Sequence, residues 1–424
     1  MGPLDPPRIT AAPGCYIVAW SLGTAEVAFE ADKLRDHSDG SLKAVVRVTA
    51  TMYNGQRHVL SAPTQLNLTA GRSRRELSRI LEERLPGEAD SFDHLIEESC
   101  RLILEREQEG NPAEYLQPAA NVKVEYLLRP LVLEHLPVLW YAPGGSGKSL
   151  LAMYSALLVQ NGLPFLGERT RQENVLYLDW EVTKEEADRR CTLLAHGLEQ
   201  NLIGTTLRYP LYRRCNAPLV DEASEIAKDI AKHKVGLVIV DSAGPACGDI
   251  MSPDLAIQFF NALRKVTAPT NAASKTLTHT TKADRREENQ HRLPFGSVYW
   301  ENMPRATWEI RPQETNDQSL LKVGLFPRKQ NMARPPAVGL RLSFQPDAIT
   351  VEPVAVDDVT TAQGATQSMI LGELERGPVS IKELVEATGA DSNVVRVLLT
   401  KLRKRGVVDI QSRGVWCLSG EAGQ

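Results

Sequence analysis

The feature that most constrains the fold of this chain is the segment APGGSGKS at residues 142–149. The apolar run PVLWY precedes it and LLAMYSALLV follows it, so a strand should lead through a tight turn into a helix. Gly144, Gly145 and Gly147 carry no Cβ atom, which lets backbone N–H groups approach an anion closely. The following helix points the positive end of its dipole at the same place. This pattern predicts a phosphate-binding loop for a nucleotide.

The positions of this loop have distinct predicted roles. Lys148 is expected to reach the β- and γ-phosphates, and the Ser149 hydroxyl to complete the shell of a magnesium ion. ATP and Mg²⁺ are therefore the predicted cofactors. The usual pattern begins with glycine, whereas this chain has Ala142, and a glycine-rich turn with a chance Lys-Ser pair is the alternative. The predicted nucleotide-binding residues are Ala142, Pro143, Gly144, Gly145, Ser146, Gly147, Lys148, Ser149 and Leu150.

Carboxylates at the ends of two apolar runs are candidates for hydrolytic chemistry. VGLVIVDS ends in Asp241, where a carboxylate that supports the magnesium shell is expected, although an aspartate there could only cap the next segment. VLYLDWE ends in Glu181, which could deprotonate the attacking water or simply begin the following helix, where acids are favoured. Asp179 lies two residues earlier on the same face of that strand and is expected to support the site indirectly.

Further polar candidates follow a fourth apolar run, TLTHTTK at 276–282. His279 is a candidate sensor of the γ-phosphate, although a lone histidine is usually structural. The polar segment 282–294 has mixed charge and no periodicity, so it is either a solvated loop or a contact for a polynucleotide. Its candidate DNA-binding residues are Lys282, Arg285, Arg286 and Arg292. Beyond it, the candidates to reach a neighbouring subunit's γ-phosphate are Arg305, Arg328 and Lys329.

Two regions flank this central one. Residues 1–112 predict an α+β accessory domain with a hairpin at Asn54-Gly55 and two helices, the second opened by Ser91. Apolar strands alternate with helices over 118–355, which predicts a parallel sheet covered on both faces, and successive strands after residue 305 predict an antiparallel extension. Residues 356–367 are a predicted linker.

Residues 368–419 predict three helices and a hairpin, the pattern of a winged helix. Ser380 and Glu383 form the pattern of a capping box. A later apolar face is expected from Val394, Val397, Leu398 and Leu402.

The end of this unit is strongly basic, with six cations against one acid between residues 396 and 413. Such a patch suits contacts with the phosphates of duplex DNA, and the alternative is a contact with protein. The candidate DNA-binding residues here are Arg396, Lys401, Arg403, Lys404, Arg405 and Arg413. The whole chain has 49 Lys and Arg against 53 Asp and Glu, so any nucleic-acid surface must be local.

Composition also limits the location of the protein. The six cysteines form no CxxC pair, which favours reduced thiols in the cytoplasm. No stretch of 18 apolar residues and no signal-like start is present, so neither a membrane span nor a signal peptide is expected.

The motifs APGGSGKSLLA, VLYLDWE, VGLVIVDS and TLTHTTK, with PFGSVYW and RATWEI behind them, resemble the RecA-like ATPases of the RepA-type plasmid and phage replicative helicase group. The resemblance covers about 118–345. It implies a ring, usually a hexamer, with the nucleotide between subunits. It also implies that Glu181 is the catalytic base, that His279 follows the fourth core strand and that Arg305 is the arginine finger. The family core usually stands almost alone, whereas this chain adds a domain on each side.

We therefore predict an α/β fold with a RecA-like parallel sheet core, an antiparallel edge extension, an N-terminal α+β domain and a C-terminal winged helix. The predicted function is an ATP-hydrolysing ring that moves on DNA, with single-stranded DNA at the core and duplex DNA at the winged helix. The first alternative is a DNA-bound regulator or assembly factor that ATP switches without unwinding. The second is an ATPase of a mobile-element or defence system that acts on another protein.

Overall fold

The structure is a computed structural model. It describes residues 5–12, 14–23, 25–36, 40–85, 89–109, 113, 115–118, 122–200, 202, 206–280, 293–313, 317–330, 335–356, 362–374, 376–404, 406–412 and 414–419. The chain divides into two compact units. The first comprises Met1–Lys123, Cys215–Val235 and Gln258–Asn271, and the second Val124–Arg214, Gly236–Ile257 and Ala272–Gln424.

The elements are numbered in chain order. The strands are β1 (Arg8–Ala12), β2 (Cys15–Ser21), β3 (Ala25–Asp36), β4 (Leu42–Met52), β5 (Arg57–Asn67), β6 (Tyr126–Leu128), β7 (Val132–Leu133), β8 (Pro137–Ala142), β9 (Asn174–Asp179), β10 (Leu211–Arg214), β11 (Val235–Asp241), β12 (Ala273–His279), β13 (Ala306–Gln313), β14 (Leu320–Gln330), β15 (Val338–Phe344), β16 (Ile349–Val354), β17 (Val379–Ser380), β18 (Val408–Ser412) and β19 (Val415–Leu418). The helices are α1 (Gly71–Arg84), α2 (Ala89–Glu109), α3 (Lys148–Asn161), α4 (Lys184–Glu199), α5 (Leu219–His233), α6 (Ala243–Cys247), α7 (Pro253–Thr267), α8 (Tyr299–Asn302), α9 (Ala362–Leu374), α10 (Ile381–Thr388) and α11 (Ser392–Lys404).

The first unit contains an antiparallel sheet in the order β1-β2-β3-β4-β5. Alternate residues of these strands form an apolar core with α1 and α2, because successive side chains of a strand point to opposite faces. The predicted hairpin is confirmed: Gly55 has a φ of 86° and donates its N–H to the Met52 carbonyl at 2.8 Å. The prediction that Ser91 opens the second helix is wrong, since α2 begins at Ala89 and the helix includes Ser91.

The second unit is built on a sheet in the order β10-β9-β11-β12-β8-β13-β14-β15-β16. Strand β8 pairs in parallel with β12 on one side and β13 on the other. The predicted antiparallel extension is confirmed, because β13, β14, β15 and β16 pair successively in antiparallel fashion, although β13 itself joins β8 in parallel. Strand β13 runs parallel to β8 because the chain returns to the N-terminal end of β8 before β13 starts. At that end the Arg305 N–H donates to the Pro137 carbonyl at 2.8 Å.

The C-terminal segment of the second unit has three helices and a small sheet in the order β17-β19-β18. The predicted capping box is confirmed, because Ser380 and Glu383 exchange side-chain and backbone hydrogen bonds at the start of α10. Helix α9 begins at Ala362, so the prediction of a linker is wrong for residues 362–367.

Most of the predicted apolar face of helix α11 is confirmed, because Leu398 and Leu402 are buried and Val394 packs against the same core. Val397 is 49% exposed, so its placement on the apolar face is wrong. The buried side chains follow the i, i+3, i+4, i+7 spacing of one helical stripe. They are Val395, Leu398, Leu399 and Leu402.

Two further observations concern the chain as a whole. All six cysteines are buried, and none of them forms a disulfide bond. Within the described ranges, we find no helix of the length and apolarity that a membrane crossing requires.

Candidate functional site

The turn between β8 and α3 has the conformation that its glycines permit. Gly145 and Gly147 have φ values of 73° and 72°, in the left-handed region that side chains disfavour. The Ser146 hydroxyl donates to the Pro143 carbonyl at 2.8 Å and closes the turn. A Cβ atom added at Gly147 would lie 2.7 Å from Leu321 Cδ2, whereas one added at Gly144 would meet open space. The backbone is thus supported on one side and accessible on the other.

Lys148 is the first residue of α3 and its side chain is buried. Burial lowers the pKa of Lys148, and the nearby carboxylates of Asp241 and Glu181 oppose that shift. These interactions bring the ammonium of the loop together with carboxylates from the ends of two other strands. A phosphate chain at this turn would face a lysine that already lies inside the protein.

Asp241 ends β11 and is only 4% exposed. Its Oδ2 atom accepts a 2.6 Å hydrogen bond from the Tyr177 hydroxyl. Burial raises the pKa of Asp241 to about 6, against the opposing effect of hydrogen bonds from Tyr177 and Ser149. The other oxygen, Oδ1, is buried and has no hydrogen-bond partner in the described part of the chain. A buried carboxylate oxygen without a partner is an unused acceptor.

This unused acceptor fits a magnesium ion. Mg²⁺ is usually held by one or two carboxylates together with substrate phosphates and waters. Asp241 and the adjacent Ser149 hydroxyl supply the protein side of such a site. No cluster of three or more His, Cys, Asp or Glu that could hold a metal exists among the residues that the structure describes. The remaining ligands would therefore come from the nucleotide and water.

Glu181 lies on a turn just beyond β9 that Asp179 organises. The Asp179 Oδ1 atom accepts hydrogen bonds from the backbone N–H groups of Glu181 and Val182, at 2.8 and 3.1 Å. The next residue after the strand, Trp180, donates its N–H to the Asp241 carbonyl at 2.8 Å, which joins the ends of β9 and β11. The Glu181 side chain is exposed, and its Oε1 atom accepts a hydrogen bond from the Ser242 hydroxyl.

His279 ends β12 directly opposite Ala142 of β8. Partial burial lowers the pKa of His279, the nearby Lys148 lowers it further, and Glu181 opposes both. The imidazole therefore lies in the same electrostatic cluster as the lysine and the glutamate. The predicted DNA-binding residues that follow, Lys282, Arg285, Arg286 and Arg292, lie outside the described residues.

Arg305 does not join this cluster. Its backbone bonds to Pro137, the first residue of β8, whereas the phosphate loop follows the last one. At a rise of about 3.3 Å per residue, the two ends of β8 are roughly 16 Å apart. Its side chain is exposed, so any role in hydrolysis would have to be on another subunit.

The other two cations proposed for a neighbouring subunit are engaged within their own chain. Arg328 forms a 2.6 Å ion pair with Glu309, which is fully buried. Lys329 donates to the carbonyl oxygens of Glu301 and Asn302 at 3.0 and 2.7 Å. Arg305 is therefore the better candidate of the three.

The C-terminal cations divide in a similar way. Arg396, Lys401 and Lys404 are exposed on α11. Arg403 forms a 3.0 Å ion pair with Asp409 of β18, which reduces its availability for another anion. Arg405 and Arg413 are not among the described residues.

Three side chains of the site were not predicted from the sequence. Tyr177 bonds to Asp241, Ser242 bonds to Glu181, and Arg214 lies 3.7 Å from Asp179 through its Nη1 atom. Tyr177 has the clearest sequence signal, because it lies two residues before Asp179 on the same face of a strand. Ser242 directly follows Asp241, but nothing in the sequence tells which way its hydroxyl points.

Comparison with known proteins finds a similarity for the central part of the chain. Residues 116–285 match the AAA domain family. No curated protein matches the chain. One similar solved structure is a KaiC-like protein from the hyperthermophilic archaeon Pyrococcus horikoshii OT3, with 15% identity and a TM-score of 0.37, covering 56% of this chain and 100% of that one. Over these residues the chain is similar to AAA domains, which agrees with the phosphate loop and the parallel strands around it.

Proposed function

We propose that this protein hydrolyses ATP and uses the energy to move on DNA, as a ring-forming motor of the RepA-type helicase kind. One observation carries the hydrolytic part of the proposal: Lys148, Asp241 and Glu181, from three separate strand–turn segments, form one electrostatic cluster at the phosphate loop. An ammonium, a buried carboxylate and an exposed carboxylate are the groups needed to hold a triphosphate and activate a water molecule.

Binding of the nucleotide depends on the turn. The backbone N–H groups of residues 144–149 and the start of α3 attract the phosphates, and Lys148 neutralises the β- and γ-phosphate charge. Asp241 and Ser149 would hold Mg²⁺. A bound magnesium ion supplies further positive charge to the phosphate oxygens.

Hydrolysis requires an attacking water on the far side of the γ-phosphate. Glu181 accepts a proton from this water as its oxygen forms a bond to the γ-phosphorus, and the bond to the bridging oxygen of ADP breaks. His279 senses the γ-phosphate in this proposal, which the electrostatic effects of Lys148 and Glu181 on its pKa support. It also begins the connection to the 282–294 segment, which we propose contacts single-stranded DNA.

The first test concerns hydrolysis. Replacing Lys148 with Ala should abolish both ATP binding and turnover. Glu181→Gln should retain binding but lose about 10²- to 10⁴-fold in turnover, because only the proton acceptor is removed. Glu185→Gln is the matched control, since Glu185 is an exposed acid in the first turn of α4. Wild-type turnover in the Lys148→Ala protein would refute the site.

The second test concerns the action on DNA. A motor should displace a strand from forked DNA in the presence of ATP, whereas a switched regulator should bind DNA in an ATP-dependent way without unwinding it. The regulator remains the second candidate because the ATPase domain is flanked by an N-terminal sheet domain with a core of its own and by a compact C-terminal segment with another. Size-exclusion chromatography with light scattering, with and without an ATP analogue and single-stranded DNA, tests ring assembly.

A further inference from the structure

Ser242 is in the position of a helix cap but does not act as one. It precedes α6 with an extended backbone, at a φ of −129° and a ψ of 170°, which is typical of an N-cap residue. Serine is favoured there because its oxygen normally accepts a hydrogen bond from the first turn of the helix. No such side-chain bond is made by Ser242. Its hydroxyl instead donates to the Glu181 carboxylate.

The hydroxyl is held in a fixed place. Ser242 is 1% exposed and directly follows Asp241, the last residue of the interior strand β11. Its own carbonyl accepts a hydrogen bond from the Ala246 N–H at 3.3 Å. A buried donor with a fixed backbone gives its acceptor a defined position.

Glu181 is thus anchored at both ends. Its backbone N–H is bound by Asp179, and its Oε1 atom is bound by Ser242. The Oε2 atom has no hydrogen bond to any residue that the structure describes. An exposed glutamate without these two anchors would sample several rotamers, and only some of them would direct an oxygen at the γ-phosphate.

We propose that Ser242 is a positioning residue for ATP hydrolysis, which holds Glu181 by Oε1 so that Oε2 receives the proton of the attacking water. The inference rests on the proposed role of Glu181 as the base. The balance of the step is simple. One O–H bond of water breaks, its proton goes to Oε2, and the hydroxide oxygen bonds to the γ-phosphorus as ADP leaves. The Ser242 hydroxyl keeps its own proton throughout.

The experiment is a double-mutant cycle in the full-length protein. Ser242→Ala should lower kcat about tenfold while leaving the KM for ATP and the affinity for a non-hydrolysable ATP analogue unchanged, because the phosphate-binding groups are intact. Adding Ser242→Ala to Glu181→Gln should cause no further loss, since the positioned group is already gone. Ser274→Ala is the matched control, as Ser274 is also buried in a core strand but lies outside the site.

Each alternative outcome has a separate meaning. An unchanged kcat in Ser242→Ala, or an equal further loss in the Glu181→Gln background, would overturn the positioning role. Wild-type turnover in Glu181→Gln with none in Lys148→Ala would instead show that another base acts, and the proposed function of Glu181 would fail first. If Ser242→Ala does not fold, Ser242→Cys keeps the size of the side chain with a weaker donor, and its kcat should lie below that of the wild type.

Discussion

Lys275 is a fully buried lysine in the middle of β12. Its Nζ atom donates to the Ser155 hydroxyl and lies 3.7 Å from the centre of the Trp140 ring. Among the described residues it has no carboxylate partner, so these two weak interactions are its only compensation. Burial therefore lowers the pKa of Lys275 far below its usual value.

We expect Lys275→Met to stabilise the protein at pH 7 by roughly 1–3 kcal/mol, because it removes the cost of burying an amine while keeping most of the length of the side chain. The unfolded chain binds a proton at this lysine that the folded chain gives up. Wild-type stability should therefore rise with pH between the lowered pKa and about 10.4, and the advantage of the variant should shrink over that range. Urea unfolding of both proteins at pH 7 and 9.5 checks this, and an advantage that grows with pH would contradict it.

Gly147 gives a second prediction at this scale. Gly147→Ala should destabilise the protein by about 1–3 kcal/mol, since alanine would occupy left-handed backbone and its Cβ would clash with Leu321. Gly144→Ala is the matched variant, because its Cβ would meet open space. Thermal melting without nucleotide should separate the two, with a lower melting temperature for Gly147→Ala alone. Equal melting temperatures would show that the turn tolerates a side chain at both positions.

Helix α11 has its buried apolar residues and its exposed basic residues on different faces. Its buried stripe faces the core of the C-terminal segment, and its exposed cations lie on the rest of its surface. We expect Arg396→Ala, Lys401→Ala and Lys404→Ala each to weaken binding of duplex DNA and to reduce the salt dependence by about one unit of slope, because each would remove one of the proposed phosphate contacts.

Arg403 is held in an ion pair with Asp409, which makes it less available to a phosphate. We therefore expect Arg403→Ala to change DNA affinity least among the α11 variants. Lys382→Ala on α10 is the control for a cation elsewhere in the same segment. Fluorescence anisotropy at several salt concentrations gives the slopes. Unchanged affinity in all the α11 variants would favour the protein-contact alternative for this unit.

Some features of the sheet could be predicted from the sequence and others could not. The grouping of Ala142, Asp179, Asp241 and His279 was predictable, because each ends an apolar run and parallel strands bring such ends to one edge. The direction of β13 was not, since an apolar pattern is the same in either direction and the preceding chain path decides it. The short strand β10 carries mostly polar side chains, LYRR, and gives almost no apolar signal.

At the scale of the whole molecule, the distance of Arg305 from its own phosphate loop gives a prediction about assembly. If Arg305 completes the site of a neighbour, Lys148→Ala and Arg305→Ala should each be inactive alone. Mixed in equal amounts, they should recover about a quarter of the wild-type rate, because that share of interfaces in a randomly mixed ring pairs an intact loop with an intact arginine. Steady-state ATPase assays of the mixture test this.

Lys329→Ala is the control for this experiment, because Lys329 bonds to carbonyl oxygens of its own chain. Its mixture with Lys148→Ala should show no rate beyond the sum of the two proteins measured separately. If the mixture with Arg305→Ala recovers no ATPase activity, Arg305 does not act on the γ-phosphate of a neighbouring subunit.

The bridge between Thr280 and Pro294 joins the chain just before and just after residues 281–293. The Phe295 N–H adds a 2.8 Å hydrogen bond to the His279 carbonyl beside it. The two ends of this connection are thus held side by side next to the end of β12. An insert that carries a fluorophore is therefore expected to be tolerated in place of residues 281–293. Because this connection begins next to His279, the fluorescence of the insert would report nucleotide turnover.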